Sequence, residues 1–140
     1  MDWKAEAIDK LQGYEAQQRA VDGITGELER LGAAKLDGMP RTGINASARK
    51  EVMVDNITHR DNLKRKLKEA RLWVEIVDGG LSVLGEDERF VLDLLFMHPA
   101  KGNIERLCEQ LWVEKATVYR RRDEALRRFT IALYGTVESA

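Results

Sequence analysis

The segment from Ile104 to Arg122 reads IERLCEQLWVEKATVYRRR, and it decides how the chain is interpreted. Its first half places apolar residues three or four positions apart, which predicts one face of a helix; these residues are Ile104, Leu107, Cys108 and Leu111. A short connection at Trp112-Val113 follows, and then a second helix with Val118 inward and basic residues outward. The pattern predicts two helices joined by a tight turn, which is the arrangement of a helix-turn-helix.

Three residues of this segment test the prediction. Cys108 supplies the small side chain that the crossing of two helices requires. Trp112 stands at the turn position that glycine usually takes, which leaves the tightness of the turn open. Arg121 stands where an aliphatic residue is usual, so we expect its methylene stem on the core and its guanidinium at a phosphate.

Composition points to an all-α protein. Among 140 residues, 34% are charged, 44% are hydrophobic and only two are proline, and helix-forming residue types recur throughout. No apolar run is long enough to span a bilayer, and the first residues do not resemble a secretory signal. The single cysteine can form no internal disulfide. We therefore expect a cytoplasmic protein without cofactor or metal.

The positive charge is concentrated although the net charge is only −1. Residues 115–128 hold six basic and two acidic side chains, a local net charge of +4. A protein that coats nucleic acid without selectivity is usually far more basic overall. We expect modest affinity for DNA from one copy, and binding as a homodimer or with a partner.

The N-terminal part predicts two long helices. The first is expected from Asp2 to Leu31-Gly32, with a bend or break at Gly13, Gly23 or Gly26. A non-helical connection is expected from Gly32 to Asn45. The second helix is expected from Ala46 to Val77, with a stop at Gly79-Gly80 and a coiled-coil-like seam; the seam residues are Leu63, Leu67, Ala70, Val74 and Val77. These helices could form an antiparallel hairpin or pair across a dimer, and the sequence leaves both open.

The C-terminal part predicts a three-helix domain. Its first helix begins near Gly85 with acidic residues suited to a helix start. Helices at about 103–111 and 115–134 follow, and Gly135 closes the last one. The predicted organisation is a helical arm over 1–78 with oligomerisation as its candidate role, a linker over 79–84 and a helix-turn-helix domain over 85–140.

Two motifs carry a resemblance to known proteins. EDERFVL at 86–92, the helix-turn-helix and DEALRRF at 123–129 together resemble region 4 of bacterial sigma factors. TVYRRRDEAL at 117–126 is similar to the ArpU-type phage and prophage transcriptional regulators. The resemblance covers about residues 85–135, and it implies a regulator of late or lysis-related phage genes in a bacterial host cell.

The resemblance also implies a DNA-binding site and a protein partner. Residues at the start of the second helix would face the major groove of double-stranded DNA; they are Lys115, Ala116, Thr117, Tyr119, Arg120, Arg121 and Arg122. Lys115 and Arg120 are the candidates for guanine edges, whereas Thr117, Arg121 and Arg122 would hold phosphates. Because sigma region 4 docks on RNA polymerase, the polymerase is an implied partner.

The same sequence features fit other functions. A phage assembly or DNA-packaging protein of the small-terminase kind, or a polymerase-docking protein that does not read bases, would also use a helical arm and a helix-turn-helix. An enzyme is not expected, since no nucleophile, metal or phosphate-loop motif is present. Cys108 is expected in the core, and His59 and His98 are too isolated for a metal site. The basic residues over 64–68 are best interpreted as a solvated helix face, with a second DNA-backbone contact as the alternative.

Overall fold

The computed structural model describes residues 2–33 and 46–135, and within these ranges all regular structure is helical. The described elements are α1 (Trp3–Ala33), α2 (Ala46–Ser82), α3 (Glu86–Leu92), a π-helical turn (Asp93–Met97), α4 (Asn103–Leu111) and α5 (Lys115–Tyr134). The all-α prediction is confirmed, and so are the predicted bounds of α4 and α5. Most of the connection predicted over Gly32–Asn45, and the last five residues of the predicted C-terminal domain, lie outside the described ranges.

The chain divides into two compact units whose limits differ from the predicted ones. Residues 1–17 and 73–140 form what we call the terminal unit, and residues 18–72 form the middle unit. The start of α1 therefore belongs with the C-terminal helices, although the sequence predicted a separate arm over 1–78. The physical reason is the spacing of Trp3, Ala7 and Leu11, which places an apolar stripe on the helix face that packs into this core.

The terminal unit contains two apolar clusters. The first joins residues from α1, α2, α3 and α5, and its largest fully buried side chains include Leu11, Val77, Leu92, Leu126 and Phe129. The second joins α3, the π-helical turn, α4 and α5 through Val91, Leu94, Leu107 and Val118. Three C-terminal helices alone were expected to form a closed core. Instead, α5 is packed along its length by partners from both ends of the chain.

Helical glycines in this unit mark close approaches between elements. A Cβ atom built on Gly80 would lie 2.6 Å from Cε2 of Phe129, and one on Gly13 would lie 2.7 Å from Cζ2 of Trp73. Real side chains do not tolerate such distances, so only glycine fits at either position. The stop predicted at Gly79-Gly80 is therefore wrong, because α2 continues to Ser82 and occupies most of the predicted linker. The break expected in α1 is absent too, since α1 is a single described helix.

The end of the third helix is tied to the start of α4. The backbone N–H of His98 donates to the carbonyl of Asp93 at 2.7 Å, a five-residue spacing that closes the π-helical turn. The side-chain amide of Asn103 donates to the carbonyl of Leu94 at 2.5 Å. These bonds position α4 on the second cluster, where it can pair with α5.

The middle unit is built from the remainder of α1 and the first two thirds of α2. Leu67 and Ala70 are buried, and a guanidinium nitrogen of Arg60 donates to the carbonyl of Leu31 at 2.9 Å. The five residues of the seam predicted along α2 are all buried or half-buried. Leu63, Leu67 and Ala70 belong to this unit, whereas Val74 and Val77 belong to the terminal unit. None of the helices in the described ranges is long and apolar enough to cross a membrane.

Candidate nucleic-acid interface

The turn between α4 and α5 is tight, and the backbone conformation of Trp112 closes it. Trp112 has φ 56° and ψ 45°, the left-handed conformation that glycine adopts most easily. Among the described residues it is the one non-glycine with a positive φ. Its conformation lets the N–H of Val113 donate to the carbonyl of Cys108 at 3.2 Å, a bond typical of helix C-termini. The turn therefore forms without glycine, and the tryptophan side chain is left 91% exposed.

Residues on both sides of Trp112 hold the turn in place. Leu111 and Val113 pack against the second apolar cluster, as does Cys108. This agrees with the small core role expected for Cys108. The backbone at Trp112 is thus anchored on both sides, while its indole ring is exposed.

The start of α5 is fixed by its backbone and by one buried valine. Glu114 is extended, and its carbonyl accepts the N–H groups of Thr117 and Val118 at 3.0 and 3.2 Å. Val118 is fully buried in the second cluster. Because one side of the first turn is anchored in this way, the opposite side must face solvent.

Of the residues predicted to face the groove, Ala116, Tyr119 and Arg120 lie on that solvent side, whereas Lys115 is exposed at the helix start, three residues before Val118. Lys115, Ala116 and Arg120 are exposed, Tyr119 is 38% exposed and Thr117 is half-buried. A guanidinium nitrogen of Arg120 donates to the hydroxyl of Thr117 at 3.1 Å. This bond holds the side chain of Arg120 along the helix and leaves its other N–H groups to bind a ligand.

The next two arginines have acidic neighbours and are half-buried. A terminal nitrogen of Arg121 lies 4.0 Å from a carboxylate oxygen of Asp87, on α3. Arg122 contacts the carboxylate of Asp123 through Nε at 3.1 Å and Nη2 at 3.0 Å, and its guanidinium carbon lies 5.1 Å from the centre of the Tyr119 ring. The three consecutive arginines therefore differ, since among them only Arg120 is exposed and has no carboxylate partner among its described contacts.

Two contributions to this surface escaped the sequence analysis. Glu124 and Arg127 are exposed, and they follow Arg120 at four- and seven-residue spacing, which extends the same helix face. That signal was available in the sequence. The ammonium of Lys4, at the start of α1, lies 3.7 Å from Asp123, so the N-terminus adds a cation beside α5. No local pattern could indicate that contact.

The two histidines lie far apart in the sequence and on different units. His59 is exposed on the part of α2 in the middle unit, whereas His98 contacts Asp93 through its ring at 2.5 Å. Across residues 2–33 and 46–135, no group of three His, Cys, Asp or Glu side chains is arranged to hold a metal ion.

Comparisons with known proteins found no relative of this chain. No family model, curated protein or solved structure matches the chain. The resemblance to ArpU-type regulators stays a prediction from the sequence.

Proposed function

We propose that this protein is a DNA-binding transcriptional regulator that inserts the start of α5 into the major groove. The observation that carries the proposal is that Ala116 and Arg120 are exposed on the side of α5 opposite buried Val118, with exposed Lys115 at the start of the same helix. Side chains held on a rigid element keep their geometry when a ligand approaches. A helix that enters the major groove reads bases with the residues of its first turns.

The chemistry of the exposed group suits base recognition. Arg120 can offer two parallel N–H donors to the O6 and N7 atoms of guanine, and its bond to Thr117 restricts the side chain before DNA binds. Ala116 gives the helix room to approach the base edges and can contact a thymine methyl group. Lys115 adds a further donor at the helix start. In this proposal Arg121 and Arg122 turn part of their guanidinium groups to phosphates and fix the position of the helix.

The biological role proposed here follows from the resemblance. A sequence similar to ArpU-type regulators supports regulation of late or lysis-related phage or prophage genes in a bacterial cell. The proposed partners are double-stranded DNA, a second copy of the chain and the host RNA polymerase.

Selection of bound fragments from the source genome tests the proposal directly. We expect an enriched duplex that binds the purified protein at least about tenfold more tightly than random DNA near 0.1 M salt, a modest ratio for a specific binder. If no sequence is enriched, base reading is wrong, and assembly or packaging becomes the better interpretation.

Three variants of α5 then separate base reading from charge. Arg120→Ala should weaken binding to the selected site by about 1–3 kcal/mol and relax the preference at one base position. Arg120→Lys keeps the charge but loses the paired donors, so it should also relax that preference. Arg127→Ala removes the same charge from the same helix face two turns further on. This control should weaken all sequences equally and lower the salt dependence by about one charge.

A further inference from the structure

The first part of α2 is a helix exposed on all sides. Every residue from Lys50 to His59 is exposed. Four of them are large and apolar, with exposed fractions between 38% and 54%; they are Val52, Met53, Val54 and Ile57. The next residue, Arg60, is bonded to the end of α1 through the carbonyl of Leu31.

An exposed segment of this kind has little to stabilise it within one copy. Helices draw most of their stability from packing an apolar face, and a short isolated helix is marginal in water. Adjoining apolar side chains on a surface usually mark an interaction site. The segment therefore points to a partner that covers it.

One face of the segment has a symmetric order of residue types. Lys50, Val54, Ile57 and Asp61 follow one another at spacings of four, three and four, which places them on one side of the helix. The two apolar residues lie in the middle, with a cation at one end and an anion at the other. When a second copy of this helix lies antiparallel to the first, the cation of each copy lies opposite the anion of the other, and apolar residues lie opposite apolar residues.

We propose that this face binds the same face of a second copy, with the two α2 helices antiparallel. A two-fold axis between residues 55 and 56 pairs Lys50 with Asp61 of the other copy, and Val54 with Ile57. Each pair then occurs twice, as a closed two-fold interface requires. This face would hold the proposed DNA-binding dimer together, yet its test requires no DNA.

Sedimentation equilibrium of the full chain tests the interface. We expect a monomer–dimer equilibrium, and Ile57→Lys should raise the dimer dissociation constant by at least about 100-fold, since it places two unpaired charges at the centre of the contact. Because Ile57 is 54% exposed, this substitution should leave the helical circular dichroism of the monomer unchanged.

A charge exchange tests the orientation. Lys50→Glu or Asp61→Lys alone should raise the dissociation constant by about tenfold, since each turns two attractive pairs into repulsive ones. The double variant should return to within about threefold of the original value, because both pairs become complementary again. Within one copy these residues are roughly 16 Å apart along the helix, so rescue reports a contact between copies. Lys66→Glu, an exposed position on the opposite side of α2, is the control and should change little.

Three results would overturn the proposal. One is a chain that stays monomeric up to roughly 100 µM, a range in which even weak dimers associate. If the chain is monomeric, a loss of thermal stability in Ile57→Lys would mean that another part of the same chain covers this face. Another is a dimer that Ile57→Lys leaves intact. The last is a double charge variant that is no tighter than the single ones. Because no assay contains DNA, these failures are distinct from failure of the proposed function.

Discussion

The two ends of α2 have the same secondary structure and very different surroundings. Near its end, Gly80 lies against the ring of Phe129, close enough that no larger residue fits. Near its start, Val54 and Ile57 are 51% and 54% exposed. Residue periodicity predicts a helix from Ala46 to Val77, but it does not indicate which part of that helix another element covers. Burial depends on whether another element is shaped to meet the helix, and that information lies elsewhere in the chain.

The largest difference in stability between a buried and an exposed position is expected at Leu11, on α1. This side chain is fully buried in the first cluster of the terminal unit, so Leu11→Ala should lower the free energy of unfolding by about 2–5 kcal/mol. Leu72→Ala is the matched control in the middle unit; since Leu72 is 55% exposed, its loss should be no more than about 0.5 kcal/mol. Denaturant unfolding of both variants gives the comparison. Equal effects would mean that residues 1–17 do not pack with the C-terminal helices.

Substitutions of Gly79 and Gly80 test the packing near the end of α2 more sharply. Gly80→Ala should destabilise the protein by about 1–3 kcal/mol, because the new methyl group must displace the Phe129 ring. A Cβ atom on Gly79 meets nothing within 4 Å, so Gly79→Ala should stabilise the helix by about 0.4–1 kcal/mol. Thermal unfolding would show shifts of opposite sign. Stabilisation by both substitutions would contradict the close contact at Gly80.

The turn at Trp112 offers a smaller effect on stability. A left-handed residue with a side chain costs roughly 1–2 kcal/mol, and glycine relieves that cost while losing about 0.4–1 kcal/mol through its more flexible unfolded chain. Trp112→Gly should therefore raise stability by up to about 1.6 kcal/mol. Trp112→Ala keeps the strain and removes an exposed ring, so its stability should barely change. Equal stabilities for the glycine and alanine variants would show that the turn is not strained.

The smallest effect is expected from His98, whose ring is exposed. Its hydrogen bond to Asp93 raises the pKa of the imidazole above the usual value of 6.5, with Glu15 adding a weaker attraction. The folded state thus binds the proton more tightly than the unfolded one does. Its contribution is complete below about pH 6.5 and is lost as the pH rises through the raised value. The stability difference between the original protein and His98→Gln should shrink from pH 5.5 to 8. A ring pKa below 6.5 in an NMR titration would contradict the contact.

The fold was predictable from the sequence where signals are local. Gly102 and Gly135 flank a strongly periodic segment, so the bounds of α4 and α5 were correct. The helix stop predicted at Gly79-Gly80 was wrong because glycine can end a helix but can also make room for a neighbouring ring. The partner of Leu11 could not be predicted, since it comes from α2, α3 and α5 far along the chain.

The candidate site divides in the same way. The exposure of Lys115 and Arg120 followed from helix periodicity and is confirmed, whereas Arg121, which was also expected to be outward, is half-buried. The carboxylate neighbour of Arg122 is the next residue, Asp123, and was within reach of sequence analysis. The neighbour of Arg121 is Asp87 on another helix, so its identity required the fold.

The exposed ring of Trp112 also equips the protein with its own optical probe. The other two tryptophans, Trp3 and Trp73, are half-buried against the first cluster, and the indole N–H of Trp73 donates to the carbonyl of Lys10 at 3.0 Å. Indoles in water emit at longer wavelengths than indoles in an apolar environment, and soluble quenchers reach them more easily. The long-wavelength, quencher-accessible part of the emission should therefore come from Trp112 alone, three residues before the start of α5. Its response to added duplex would report events at this turn without an attached dye.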